Sequence, residues 1–213
     1  ELQAARSRLL NGEARQAFKM LARVARIFEQ LNSAWDVLRT MTPSDYTAFR
    51  DALGQSSGFQ SHQYRLIEFM LGNRNKAMLR PHAHRPETLK LLEDELAQPS
   101  LYDVALRALH QSFALPDEVV MRDLSAAYQP SEAVEEAWSE VYRAPEAHWE
   151  LYELAEKLRG AGEDVCRSCD IALPPDAKPP IDACEQQDCS AKKIFRAADD
   201  MERDIEGEDG SAA

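Results

Sequence analysis

Residues 42–75 read TPSDYTAFRDALGQSSGFQSHQYRLIEFMLGNRN, and the reading of this stretch decides the fold. Thr42-Pro43-Ser44-Asp45 is a helix start: a hydroxyl to cap, a proline where its missing N–H costs nothing, and an acid in the first turn. The pattern predicts a helix from Pro43. Within it Tyr46 and Arg50 stand four apart, so a phenol and a guanidinium lie one turn above the other on one face, able to grip a single anion. That is a carboxylate clamp in outline. The plainer reading pairs Arg50 with Asp51 or Glu68 at the surface. Gly54-Gln55-Ser56-Ser57-Gly58 then breaks the helix with glycines and hydroxyls that can donate to an anionic group. A second helix comes next with Tyr64, Ile67, Phe69, Met70 and Leu71, and Gly72-Asn73 ends it.

Upstream, residues 13–38 repeat apolar side chains at three and four: Ala17, Leu21, Val24, Phe28, Leu31, Trp35 and Leu38. This is one long amphipathic helix, a bundle strut whose stripe faces its own core, a sister subunit or a partner. Downstream, Arg80-Pro81-His82-Ala83-His84-Arg85-Pro86 is bounded by prolines and reads as a loop. Its two histidines could ligate a metal, but without a neighbouring acid or thiol they read as exposed loop residues. Helices are predicted over 87–97 and 100–112. From Ser131 a further apolar period runs through Pro145, which must split it into two helices meeting near Ala144. His148, beside Trp149, reads as a structural hydrogen-bonder on a packed face.

Strand patterns are absent and glycine is scarce, so residues 1–158 form an all-α helical bundle. The 213 residues are 44% hydrophobic, enough for one ordinary core. A net charge of −12 argues against nucleic acid or an anionic membrane surface as partner. No run approaches the roughly 18 apolar residues of a membrane span, there is no signal-peptide pattern, and a cytoplasmic location is expected. The chain begins at Glu1, without Met and inside a helical pattern, so its true start is expected upstream.

At Arg159-Gly160-Ala161-Gly162 the character changes. Residues 159–213 hold fourteen acids against seven bases, and all four cysteines; they read as a separate, largely irregular acidic tail, with one short helix at 191–201 and disorder after it. Cys166 and Cys169 form a CxxC knuckle, and Cys184 and Cys189 a wider pair fourteen residues on. Together they could close a structural zinc site; reduced thiols, a redox pair, disulfides or no order at all remain open.

The whole stretch from Tyr46 onward resembles the tryptophan 2,3-dioxygenase family in its bacterial form. Tyr46 and Arg50 match the family's Tyr-x-x-x-Arg helix, Ser57-Gly58-Phe59-Gln60-Ser61 its Ser-Gly-Phe-Gln-Ser turn, and Gln63-Tyr64-Arg65 the Gln-Tyr-Arg just past that turn. The likeness runs from about residue 1 to about residue 158. It implies an all-α haem enzyme, a homotetramer that inserts O2 into L-tryptophan to give N-formylkynurenine in the kynurenine pathway. By resemblance Arg50 pairs with the tryptophan carboxylate, Tyr46 donates to it, and Ser56, Ser57 and Gly58 sit over a haem propionate.

The family's distal-histidine segment, His-Gln-x-x-Glu-Leu-Trp, and its proximal Trp-Arg-x-x-His segment have no counterpart here. His62, His82, His84, His110 and His148 occupy neither position, so none is assigned to iron and no catalytic residue is identified. The expectation is a partial chain that does not oxidise tryptophan alone. The alternative is a non-catalytic helical interaction protein derived from the family, with a zinc-binding tail.

Overall fold

A computed structural model describes residues 1–54 and 60–171, with side chains as far as Ala161. The helices are α1 (Leu2–Leu10), α2 (Ala14–Leu38), α3 (Pro43–Arg50), α4 (His62–Leu71), α5 (Pro86–Leu96), α6 (Leu101–Phe113), α7 (Glu132–Arg143) and α8 (Trp149–Ile171). Short 3-10 turns lie at Asp51–Leu53, Lys76–His82 and Asp117–Val119, and there is no strand among the described residues. The protein is all-α, as the missing strand patterns require. No helix among the described residues is long and apolar enough to cross a membrane.

The two long helices, α2 and α8, pack along one another, and α6 lies against α8, α7, α1 and α4. α2 buries Ala17, Leu21, Val24 and Phe28, the first four members of its stripe. α8 answers with Leu151, Leu154, Leu158 and Ala161, again at spacings of three and four. Leu101, Ala105, Leu106 and Leu109 of α6 fill the centre, and Val141 of α7 closes it. Each fully buried aliphatic side chain contributes roughly 1.5–3 kcal/mol, so this contiguous layer supplies most of the driving force. A satellite cluster of Phe69, Leu92 and Leu96 fastens α4 to α5.

Polar burial is concentrated at the start of α6. Ser100 caps the helix in a reciprocal box with Asp103: the Ser100 backbone N–H donates to Asp103 Oδ2 at 2.8 Å, and the Asp103 N–H donates to Ser100 Oγ at 3.1 Å. The same carboxylate receives Arg74 Nη2 at 3.2 Å and Arg122 Nη2. Arg74 also donates from Nη1 to the carbonyl of Leu96 and from Nη2 to that of Gln98, which stitches the end of α5 to the α4 exit.

Two expectations from the sequence are corrected. Residues 80–86 are not an open loop: Lys76–His82 is a 3-10 turn that continues through Pro81, and His82 is buried at 2% exposure. The turn tolerates Pro81 because the fixed φ of proline suits tight helical turns. The helical pattern also does not stop at Arg159. α8 runs to Ile171, since Ala161 continues the face that packs on the core and outweighs the helix penalty of Gly160, about 1 kcal/mol. The split at Pro145 stands as expected, with α7 ending at Arg143 and Ala144 as its C-cap.

Candidate functional site

α3 begins where its sequence says. Thr42 Oγ1 accepts the Asp45 N–H at 3.3 Å, and Asp45 Oδ2 accepts from the Thr42 backbone N–H at 2.9 Å and from its hydroxyl at 2.7 Å. The hydrogen bonds from the Thr42 side chain and backbone hold the Asp45 carboxyl below the usual carboxylate range. Pro43 takes the first helical position. This local wiring matters because α3 buries none of its residues, so the core does little to hold it.

The cap sets the phase that puts Tyr46 and Arg50 one turn apart on one face. Tyr46 is 45% exposed, its ring edge-on to Phe49 at 5.4 Å. Arg50 takes neither Asp51 nor Glu68, and Glu68 pairs instead with Arg65 at 2.6 Å. Its Nη1 donates to the carbonyl of Gly54 at 2.6 Å, which among the described residues leaves the Nε–Nη2 edge of the guanidinium facing outward for a carboxylate. Chemically the pair can do one thing well: hold a planar anion by charge-assisted bonds from two directions.

Ser56, Ser57 and Gly58 lie outside the described residues, as do Cys184 and Cys189. Cys166 and Cys169 fall on the last turns of α8, where only the helix is described.

The histidines are scattered. His82 is buried with Nε2 unpartnered among the described residues, and burial, reinforced by the charges of Arg65 and Arg85 and the neighbouring His62 and His84, holds its pKa below the ordinary value. His110 Nε2 stands 3.6 Å from Asp117, and His148 packs its ring on Phe113 at 4.9 Å. A cavity of about 790 Å³ opens between α1, α6 and the start of α8, with Leu9, Phe18, Arg107 and His148 in its wall; Tyr46 and Arg50 are not among its lining residues. No cluster of three metal-ligating side chains exists among the described residues. A haem bound beside Arg50 would need an axial ligand and an apolar wall. α3 and the turn after it carry neither a histidine nor a buried side chain, so residues 43–53 by themselves supply neither.

Sequence reading missed two features. The Gly54 carbonyl as partner of Arg50 was signalled only by a glycine four residues beyond an arginine. Of the buried Arg74–Asp103–Arg122 cluster, only the place of Asp103 was signalled, by the capping box Ser100-x-x-Asp103; its arginine partners were not.

Fold and site define an all-helical protein in which a short capped helix sets Tyr46 and Arg50 one turn apart. The chain belongs to the tryptophan 2,3-dioxygenase family, whose model matches residues 1–167. It is 63% identical over 159 residues to the tryptophan 2,3-dioxygenase of Bradyrhizobium diazoefficiens, covering 74% of this chain and 57% of that protein. The tryptophan 2,3-dioxygenase of Ruegeria pomeroyi is 62% identical over the same length and shares. That of Pseudomonas aeruginosa is 55% identical over 159 residues, 74% of this chain and 55% of its own. The chain thus spans little more than half the length of these relatives.

Proposed function

We propose that this chain supplies the substrate-carboxylate clamp of a haem-dependent tryptophan 2,3-dioxygenase, acting on L-tryptophan and O2 in the cytoplasm. The observation that carries the reading is the phased pair on α3, with one edge of Arg50 unspent among the described residues. Arg50 takes the α-carboxylate through two parallel N–H bonds, and the Tyr46 hydroxyl donates from one turn away. Charge-assisted bonds of this kind contribute on the order of 1.5–3 kcal/mol each, enough to separate a free amino acid from a peptide that lacks the carboxylate. The residues described here hold and orient; the oxygen chemistry belongs to haem and to its ligands elsewhere in the enzyme.

Assembly belongs to the same reading. Ile27 and Leu31 are 51% exposed and Val37 69% exposed along the far half of α2, a surface suited to burial in a homotetramer.

The test is Arg50→Ala in the full-length enzyme. The expected result is a sharp rise in KM for tryptophan with haem absorbance unchanged, because the substrate carboxylate is left poorly paired in a dry pocket. Kinetics equal to the parent's would remove Arg50 from the site.

A further inference from the structure

Gly54 has a backbone that other residues rarely adopt. Its φ is +58° and its ψ −133°, the mirror image of ordinary extended chain. The N–H of Gly54 still closes the preceding turn by donating to the Asp51 carbonyl at 3.1 Å, while its own carbonyl swings back along α3. There it meets Arg50 Nη1 at 2.6 Å. A Cβ built on Gly54 would have nothing within 4 Å, so space does not demand glycine here. The dihedral angles demand it, and what they achieve is the direction of that one carbonyl.

We propose that Gly54 is a positioning residue for substrate recognition: its carbonyl holds Arg50 by one amino group and turns the opposite guanidinium edge toward the incoming carboxylate. This rests on the clamp reading of Arg50. A guanidinium on a long flexible stem loses rotamer freedom when it binds, and an exposed one loses the most. Fixing it beforehand with a neutral acceptor lowers that loss without neutralising its charge. A carboxylate in the same place would compete with the substrate; a backbone carbonyl does not. The single acceptor also selects which edge stays free among the described residues, since Nη1 is engaged and the Nε–Nη2 edge is the bidentate face that remains.

The competing explanation is that Arg50 merely caps the end of its own helix. The two differ in what they predict for affinity. The 213-residue chain, carrying arginine labelled with 13C and 15N, is titrated with L-tryptophan into the millimolar range while the Arg50 side chain is followed by NMR, with tryptamine, which lacks the carboxylate, as control. Gly54→Ala introduces strain at a positive φ without a clash, and so turns the carbonyl away. D-alanine at the same position, placed by peptide ligation, favours the native dihedral angles.

The parent is expected to show slowed rotation of the Arg50 amino groups and a response to tryptophan that tryptamine does not give. Gly54→Ala is expected to lose the slow rotation and to bind about tenfold more weakly, and the D-alanine protein to recover both. A lower melting temperature with unchanged affinity in Gly54→Ala, beside lost binding in Arg50→Ala, overturns the positioning role and leaves the clamp. If Arg50 of the parent does not distinguish tryptophan from tryptamine, the clamp reading itself is overturned.

Discussion

Asp103 is where single side chains matter most to this fold. Burial alone would raise its pKa, but the hydrogen bonds from Ser100 and the charges of Arg122 and Arg74 outweigh that and hold it below the ordinary carboxylate value. A depressed carboxyl contributes stability that is present above its unfolded pKa, near 3.8, and is lost as pH falls through its folded pKa. Asp103→Ala removes the counter-charge from Arg74, whose side chain is wholly buried, and is expected to cost about 3–5 kcal/mol in chemical denaturation at pH 7. Its penalty should shrink as the parent is acidified below pH 3.8, where protonation does the same damage. A penalty that stays constant down to the acid transition would show that packing, and not charge, sets the cost. Arg74 and Asp103 lie 29 residues apart, and neither stands out in the linear sequence as a partner of the other; the cluster depends on how α4, α5 and α6 meet. Tyr46 and Arg50 were legible because helix period alone relates them.

At the scale of the element, α3 is held by its ends. Eight residues fall well short of the roughly 12–15 at which an isolated helix becomes marginal in water, and none of these eight is buried. Thr42→Ala removes the capping box and is expected to cost α3 about 1 kcal/mol. That loss is local: amide exchange at residues 46–50 should quicken about fivefold while the global denaturation midpoint stays put. A midpoint that falls with it would mean that α3 is part of the cooperative core. The starts of α3 and α4, the break at Pro145 and the stripe of α2 could all be read from caps, prolines and period. The end of α8 could not. Gly160 and the acids beyond it look like a stop, but the helix is carried on by Leu151, Leu154, Leu158 and Ala161, whose burial against the rest of the bundle no local rule weighs. His82 was misjudged for a related reason: flanking prolines describe the backbone of a turn and say nothing of which side of it is covered.

For the whole molecule, the covered and uncovered halves of α2 set the expectation. The helix buries the stripe Ala17, Leu21, Val24 and Phe28 and then exposes Leu31, Trp35 and Leu38, which continue it. Self-association is expected, and sedimentation at micromolar concentration should find a species heavier than a monomer. Leu31→Lys with Val37→Lys should shift it toward the monomer, and a parent already monomeric would refute the assembly reading.

Asn32, at 5% exposure, marks the point on α2 where the packed segment gives way to the bare one. One uninterrupted helix of about 37 Å therefore belongs to two thermodynamic regimes. Its first turns can open only when the bundle unfolds, while its last turns can fray on their own and carry α3 with them, because among the described residues little besides helix propensity and α3's own cap opposes it. The proposed clamp thus sits on an element that costs little to rearrange, at the end of a rod whose other end is anchored in the core.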